Sequence, residues 1–327
     1  MSRDKGLRSA LYDPAIIFNL RRQDEGGELG DAVRVEIRRP AAQSATQLYV
    51  LIHGFNNHRG EAEAAYQGFR DRQKEHSGDK KLSLIAPSLR DLFWPGDADW
   101  AGPVDYLDFF VYPKAVATAR QAGEKIADYL INFEPTRELN FIGHSLGCRV
   151  VLETIAALNR QQRDSLMGKV CLMAAAVPVF MLNQGARLDG AGFSPTAILN
   201  LISKSDKVLH LAFPPGQTAA GPFTEGFFPN ALGRHGMIHP RIVNKVINKA
   251  RHGDYWGHSG GPESDERSRA VLVNKHINNL FGWNQRPSRT IDPRQSAYER
   301  VAAQYETKVL QKRMPAYARQ FKTRKVA

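Results

Sequence analysis

The stretch FIGHSLGCRVV (Phe141–Val151) places a serine between two glycines at G-x-S-x-G spacing, where an apolar run gives way to helical periodicity. Alone, that spacing is a modest signal, because a tight β-α turn whose serine merely caps the next helix has the same letters. Context adds weight. A serine hydroxyl is a poor nucleophile until a base takes its proton, and the oxyanion that its attack creates needs backbone donors. A sharp strand-to-helix turn exposes the hydroxyl and aims the unpaired amides of a helix N-terminus at the developing charge. Gly143 ends the apolar run, Gly147 opens the helical one, and Ser145 stands between them. The sequence therefore predicts a nucleophile at Ser145.

Working outward, apolar runs alternate with helical patterns. AVRVEIRR (Ala32–Arg39) alternates like a half-buried strand, and TQLYVLIHG (Thr46–Gly54) is a continuous apolar run of the kind buried on both faces of a sheet. Helical periodicity from Gly60 to about Glu75 precedes the apolar run KLSLIAP (Lys81–Pro87), read as the fourth strand, and a long amphipathic segment from about Val104 to Phe133 precedes ELNFIGHS. Leu146 to Asn159 reads as helix; KVCLMAAAV, TAILNLISKSD and RIVNKVINKA read as further strands; DERSRAVLVNKHINNLFG closes the body as a helix capped by Gly282. Strands alternating with helices predict an α/β fold, a mostly parallel central sheet with helices on both faces. The expected organisation is an N-terminal arm (1–31), an α/β body (32–282) with aromatic loop insertions near 90–112 and 211–240, and a C-terminal tail (283–327).

The rest of a triad should follow in the order serine, acid, histidine. Asp206 stands just beyond the buried run TAILNLIS, and His258 lies between the last strand and the last helix, at separations of 61 and 52 residues. Both fall where that template places acid and base. Asp254 is an alternative acid or a loop cap, and His252 and His239 are alternative bases. The oxyanion needs a second amide from an earlier loop, so the backbone N–H groups of Phe55 and Leu146 are the candidate donors. His53 and His144 read as histidines that hold loops in place. Phe93, Trp94, Trp100, Phe223, Phe227 and Phe228 are candidates to line an apolar substrate pocket, or else to pack beneath the long loops.

Together LYVLIHGFNN, FWPGD, FIGHSLGCRVV, SKSDKVLH and DYWGHS resemble the α/β-hydrolase superfamily, and within it a bacterial group of uncharacterised serine hydrolases with an HGFNN-like third-strand turn. The likeness covers about Val33 to Gly282. It implies a nucleophile at Ser145, an acid at Asp206 and a base at His258, in a hydrolase with neither a metal nor an organic cofactor.

Hydrolysis of a carboxylic ester through an acyl-enzyme is the leading function; a thioesterase or amidase using the same triad, or a non-catalytic binding protein of this fold, are the alternatives. A metal site at Asp97, Asp99, Asp105 and Asp108 has only acidic loop residues to recommend it, which are more often solvated. Two cysteines, Cys148 and Cys171, in apolar segments fit reduced core thiols and a cytoplasmic protein, and neither a signal peptide nor a membrane span is legible. The net charge of +12 is uneven: the tail holds eleven Lys/Arg against three Asp/Glu, a net +8, leaving +4 for the rest. Tyr298, Val301, Ala302, Tyr305 and Val309 fall at helical spacing there. The tail is expected to pack on the body or a sister subunit, or to meet an anionic partner, whether acidic protein, lipid surface or nucleic acid, although no nucleic-acid motif accompanies the charge.

Overall fold

The computed structural model describes residues 12, 14–24, 27–38, 46–55, 58–96, 108–257 and 265–284. Their strands are β1 (Ile16–Arg21), β2 (Leu29–Ile37), β3 (Gln47–Ile52), β4 (Leu89–Phe93), β5 (Glu138–His144), β6 (Met167–Met173), β7 (Ala197–Ile202) and β8 (Ile242–Val246). Their helices are α1 (Arg59–Ser77), α2 (Asp79–Ile85), α3 (Asp108–Phe133), α4 (Gly147–Arg160), α5 (Asp189–Phe193), α6 (Phe213–Ala220), α7 (Leu232–His235) and α8 (Asp265–Phe281). The strands form one sheet in the order β2-β1-β4-β3-β5-β6-β7-β8. Only the β1–β2 pair is antiparallel. This is an α/β fold with a mostly parallel central sheet, as the alternating pattern predicted.

Central strands are apolar on both faces because both are covered. Leu48, Val50, Leu51 and Ile52 of β3, and Phe141 and Ile142 of β5, are fully buried. α4 is buried from Gly147 through Leu158, since it runs between the sheet and neighbouring helices. Its first turn lies so close to the end of β3 that a β-carbon at Gly147 would overlap the His53 carbonyl oxygen. Among the described residues no helix is long and apolar enough to cross a membrane.

Two expectations change. KLSLIAP is not a strand: its residues form α2 and the short turn after it, and the fourth strand is LRDLF. The arm is not outside the sheet either, because β1 lies within residues 1–31 and pairs with both β2 and β4. Buried charge disguised both strands. Arg90 and Asp91 interrupt the apolar pattern of β4, and Asn19 and Arg21 that of β1, yet all four are buried. Asp91 is accommodated because Arg70 Nη2 donates to Oδ1 at 2.8 Å and Tyr12 Oη to Oδ2 at 2.7 Å.

Removing one partner of a buried pair strands the other's charge, whereas replacing both with apolar groups does not. Arg70→Met should therefore lower the unfolding free energy by about 3–5 kcal/mol, measured by urea denaturation at neutral pH, and Arg70→Met/Asp91→Leu should recover most of that loss. A double variant as unstable as the single one would contradict the pairing.

Candidate functional site

The turn between β5 and α4 holds Ser145 at φ 53, a left-handed conformation unusual for a residue with a side chain. Three backbone hydrogen bonds fix it there. Ser145 N donates to Met173 O at 2.9 Å, and Ser145 O accepts from Ala176 N and Cys148 N, each at 3.1 Å. Glycines on both sides allow the close fit: a β-carbon at Gly54, in the turn after β3, would stand 2.9 Å from Ser145 Cβ. The β3 turn and the first turn of α4 thus converge on the serine. Among the described residues, neither the Phe55 N–H nor the Leu146 N–H meets a hydrogen-bond acceptor.

The histidine beside Ser145 is His252. His252 Nε2 lies 2.7 Å from Ser145 Oγ and Nδ1 lies 2.8 Å from Asp206 Oδ2. The assignment consistent with both contacts puts the proton on Nδ1, donated to the carboxylate, and leaves Nε2 to accept from the serine hydroxyl. His258 lies outside the described residues. The position expected for it, between serine and acid, is filled by the alternative base six residues earlier. The loop that follows β8 is what places His252 there: Ile247 N donates to Ile202 O at 2.8 Å, and Ser203 Oγ donates to Ala250 O, also at 2.8 Å.

Asp206 is where the sequence placed it, past the end of β7 and fully buried. Burial on its own raises its carboxyl pKa, but the hydrogen bond and charge of His252, with the Leu209 N–H at 3.0 Å, outweigh that and hold it below the ordinary aspartate value. Asp254 does other work. Its Oδ2 accepts from Arg251 N at 2.8 Å and pairs with Arg269 of α8 at 2.8 Å, so it caps the His252 loop and ties it to the body. His239 packs on Phe193 and accepts from Arg241 N, away from this relay.

His144 holds a loop in place, as the sequence reads it, and that loop is the one carrying His252. His144 Nε2 donates to the His252 carbonyl oxygen at 2.7 Å, and the two rings are 5.1 Å apart. Its place next to Ser145 was the available signal, but no sequence feature reveals the partner 108 residues away. His53 likewise holds a loop, with Nδ1 2.9 Å from Gly54 O.

The pocket candidates divide. Trp94 is fully buried, stacks on His53 and donates its indole N–H to His53 O at 2.9 Å. It supports the β3 turn and does not line an open pocket. Phe227 and Phe228 are exposed. Trp100, Asp97, Asp99 and Asp105 lie outside the described residues, as does the tail from residue 285. Cys148 and Cys171 are buried free thiols, and burial raises the pKa of both.

A family model described as a protein of unknown function, DUF726, matches residues 104–213, which include Ser145 and Asp206 but not His252. No curated protein matches the chain. Similar solved structures include TT1662 from Thermus thermophilus, 12% identical over 74% of this chain and 90% of that one, with a TM-score of 0.40. XC6422 from Xanthomonas campestris, described as an α/β serine hydrolase without a lid, is 11% identical over 75% of this chain and 85% of its own, at a TM-score of 0.38. A cold-adapted esterase from an Arctic intertidal metagenomic library is 14% identical over 76% and 87% of the two chains, at a TM-score of 0.37.

Proposed function

We propose that the protein is a serine hydrolase that cleaves a carboxylic ester through an acyl-enzyme on Ser145. The observation that carries this reading is the continuous relay from Ser145 Oγ through His252 to Asp206, at 2.7 and 2.8 Å. In this scheme His252 Nε2 takes the hydroxyl proton as Oγ attacks the ester carbonyl, then gives it to the departing alkoxide. Asp206 keeps the imidazole in the tautomer that presents a lone pair to the serine and stabilises the imidazolium that forms. The Phe55 and Leu146 N–H groups, with the N-terminus of α4 behind the second, stabilise the tetrahedral oxyanion. Water, activated by the same imidazole, then releases the acid. His252, with its side chain 19% exposed, stays accessible to substrate while its acid does not.

A panel of acyl esters of graded chain length, with a thioester and an amide of the same acyl group, tests this reading. Ser145→Ala should abolish turnover without unfolding the protein, and Asp206→Asn should reduce kcat by about 10⁴. Equal turnover in wild type and Ser145→Ala on every substrate would contradict the mechanism.

His144 acts as a positioning residue, because it holds the backbone of the base without facing the reacting atoms. His144→Ala should lower kcat by about tenfold to a hundredfold with little change in KM, and His144→Gln, whose amide N–H can reach the same carbonyl, should restore most of the loss. Equal defects in both variants would assign His144 a packing role only.

The lowered Asp206 pKa also has a sign in stability. The folded value lies below the unfolded one, so the contribution is complete above about 3.9 and is lost as pH falls through the folded value. The difference in unfolding free energy between wild type and Asp206→Asn should shrink as pH falls below about 4. A difference that does not shrink there would contradict an Asp206 carboxyl held below its ordinary value by His252.

A further inference from the structure

The segment from Lys207 to Ala250 begins one residue after Asp206 and ends two before His252. It holds five Lys/Arg, three His and one acidic residue, Glu225. That carboxylate is buried, where Arg149 grips it in a fork, Nη1 to Oε2 at 2.9 Å and Nη2 to Oε1 at 3.1 Å. Gln217 Nε2 also donates to it, and Tyr112 of α3 donates to Gln217. Arg149 in turn pairs with Glu153, which holds Arg187. Lys207, Arg241, Lys245 and Lys249 are exposed, so the outward charge of this segment is entirely positive.

Large apolar side chains stand on the same segment. Phe223 is 101% exposed, Phe227 76%, Leu211 65% and Phe228 56%. Phe223 stands in the turn after α6, where Thr224 N donates to Gly221 O at 3.1 Å, and Phe227 and Phe228 are tied to the end of that helix. Leu211 precedes Thr218 by about two helical turns, Thr218 Oγ1 accepts the Phe228 N–H at 2.8 Å, and the Phe227 and Phe228 rings are 5.0 Å apart. Phe228 also sits at φ 47, a conformation that disfavours a side chain. A buried ion network is a costly way to stabilise a core. What this one does is fix a loop that shows phenylalanines to water.

A second copy is a poor match for this face, since two surfaces of the same sign repel. An acidic protein would answer the charge but not the protruding rings. The interface of an anionic bilayer answers both, taking rings at the acyl boundary while lysine and arginine meet the headgroup phosphates. We propose that this face docks the protein on bilayers containing anionic lipids, with Phe223, Phe227, Phe228 and Leu211 inserted and Lys207 among the headgroups. The proposal does not depend on Ser145 being a nucleophile.

The test is co-sedimentation of the full chain with vesicles of phosphatidylcholine alone or of phosphatidylcholine with phosphatidylglycerol. Wild type should bind the anionic vesicles, more weakly as salt is added, and bind the neutral ones poorly. Phe223→Ser/Phe227→Ser, which alters only exposed positions, should weaken binding at least about tenfold at an unchanged melting temperature. Ile37→Ser, on β2 at the far edge of the sheet and 70% exposed, should leave binding intact. Binding by the double variant equal to wild type would overturn the proposal and assign lipid contact to another basic region such as the tail. Absence of wild-type binding would overturn it as well, and a dimer that the double variant dissociates in light scattering would then name a second copy as the occupant.

Discussion

Ser145 has a β-carbon yet is held at φ 53, where such a residue stands about 1–2 kcal/mol above its right-handed alternatives. The surroundings hold it there. Its N–H and carbonyl are tied to the end of β6 and to α4, and no larger residue fits at Gly147 or Gly54 without displacing the backbone or the serine. If the turn relaxed, Oγ would leave His252 Nε2, and α4 would lose its seat on β3. The same fit that buries α4 aims its first amides at the space beside the serine.

The partners of the serine come from loops, and loops hold position only through specific bonds. Ser203 ties the end of β7 to Ala250, Asp254 caps the His252 loop and anchors it to Arg269, and His144 reaches back to the His252 carbonyl. Because the Asp254 carboxylate is committed to the Arg251 amide and the Arg269 guanidinium, Asp206 is the acid left facing the imidazole. Burial of Asp206 works against its charge, and the fold accepts that cost because His252 and the Leu209 amide return more.

What the sequence made legible follows the physics of each feature. The elbow and Asp206 are local signals, a glycine-flanked serine and a carboxylate at a strand end, and both stand where expected. The histidine was harder. His252 and His258 lie six residues apart in one glycine-bearing stretch, and chain order ranks them equally. The distinction lies in where the loop after β8 is pinned, which depends on the Ser203 and His144 contacts. β4 was obscured because a buried Asp91 reads as solvent until Arg70 and Tyr12, distant in sequence, are placed beside it, and β1 because Asn19 and Arg21 break its apolar run although both are buried. Trp94 looked like a pocket wall for the converse reason: an aromatic in a Pro/Gly-rich loop shows no sign that its N–H is held by the turn after β3.

The central claim is that His252 activates Ser145, and covalent capture tests it most directly. The full-length protein is treated with a fluorophosphonate, and the adduct is located and timed by peptide mass spectrometry in wild type, His252→Gln and His258→Gln. A single adduct on Ser145 is predicted, formed about a thousandfold or more slowly in His252→Gln and at the wild-type rate in His258→Gln. An adduct elsewhere, or a labelling rate that survives the loss of His252 and falls with the loss of His258, would contradict the account.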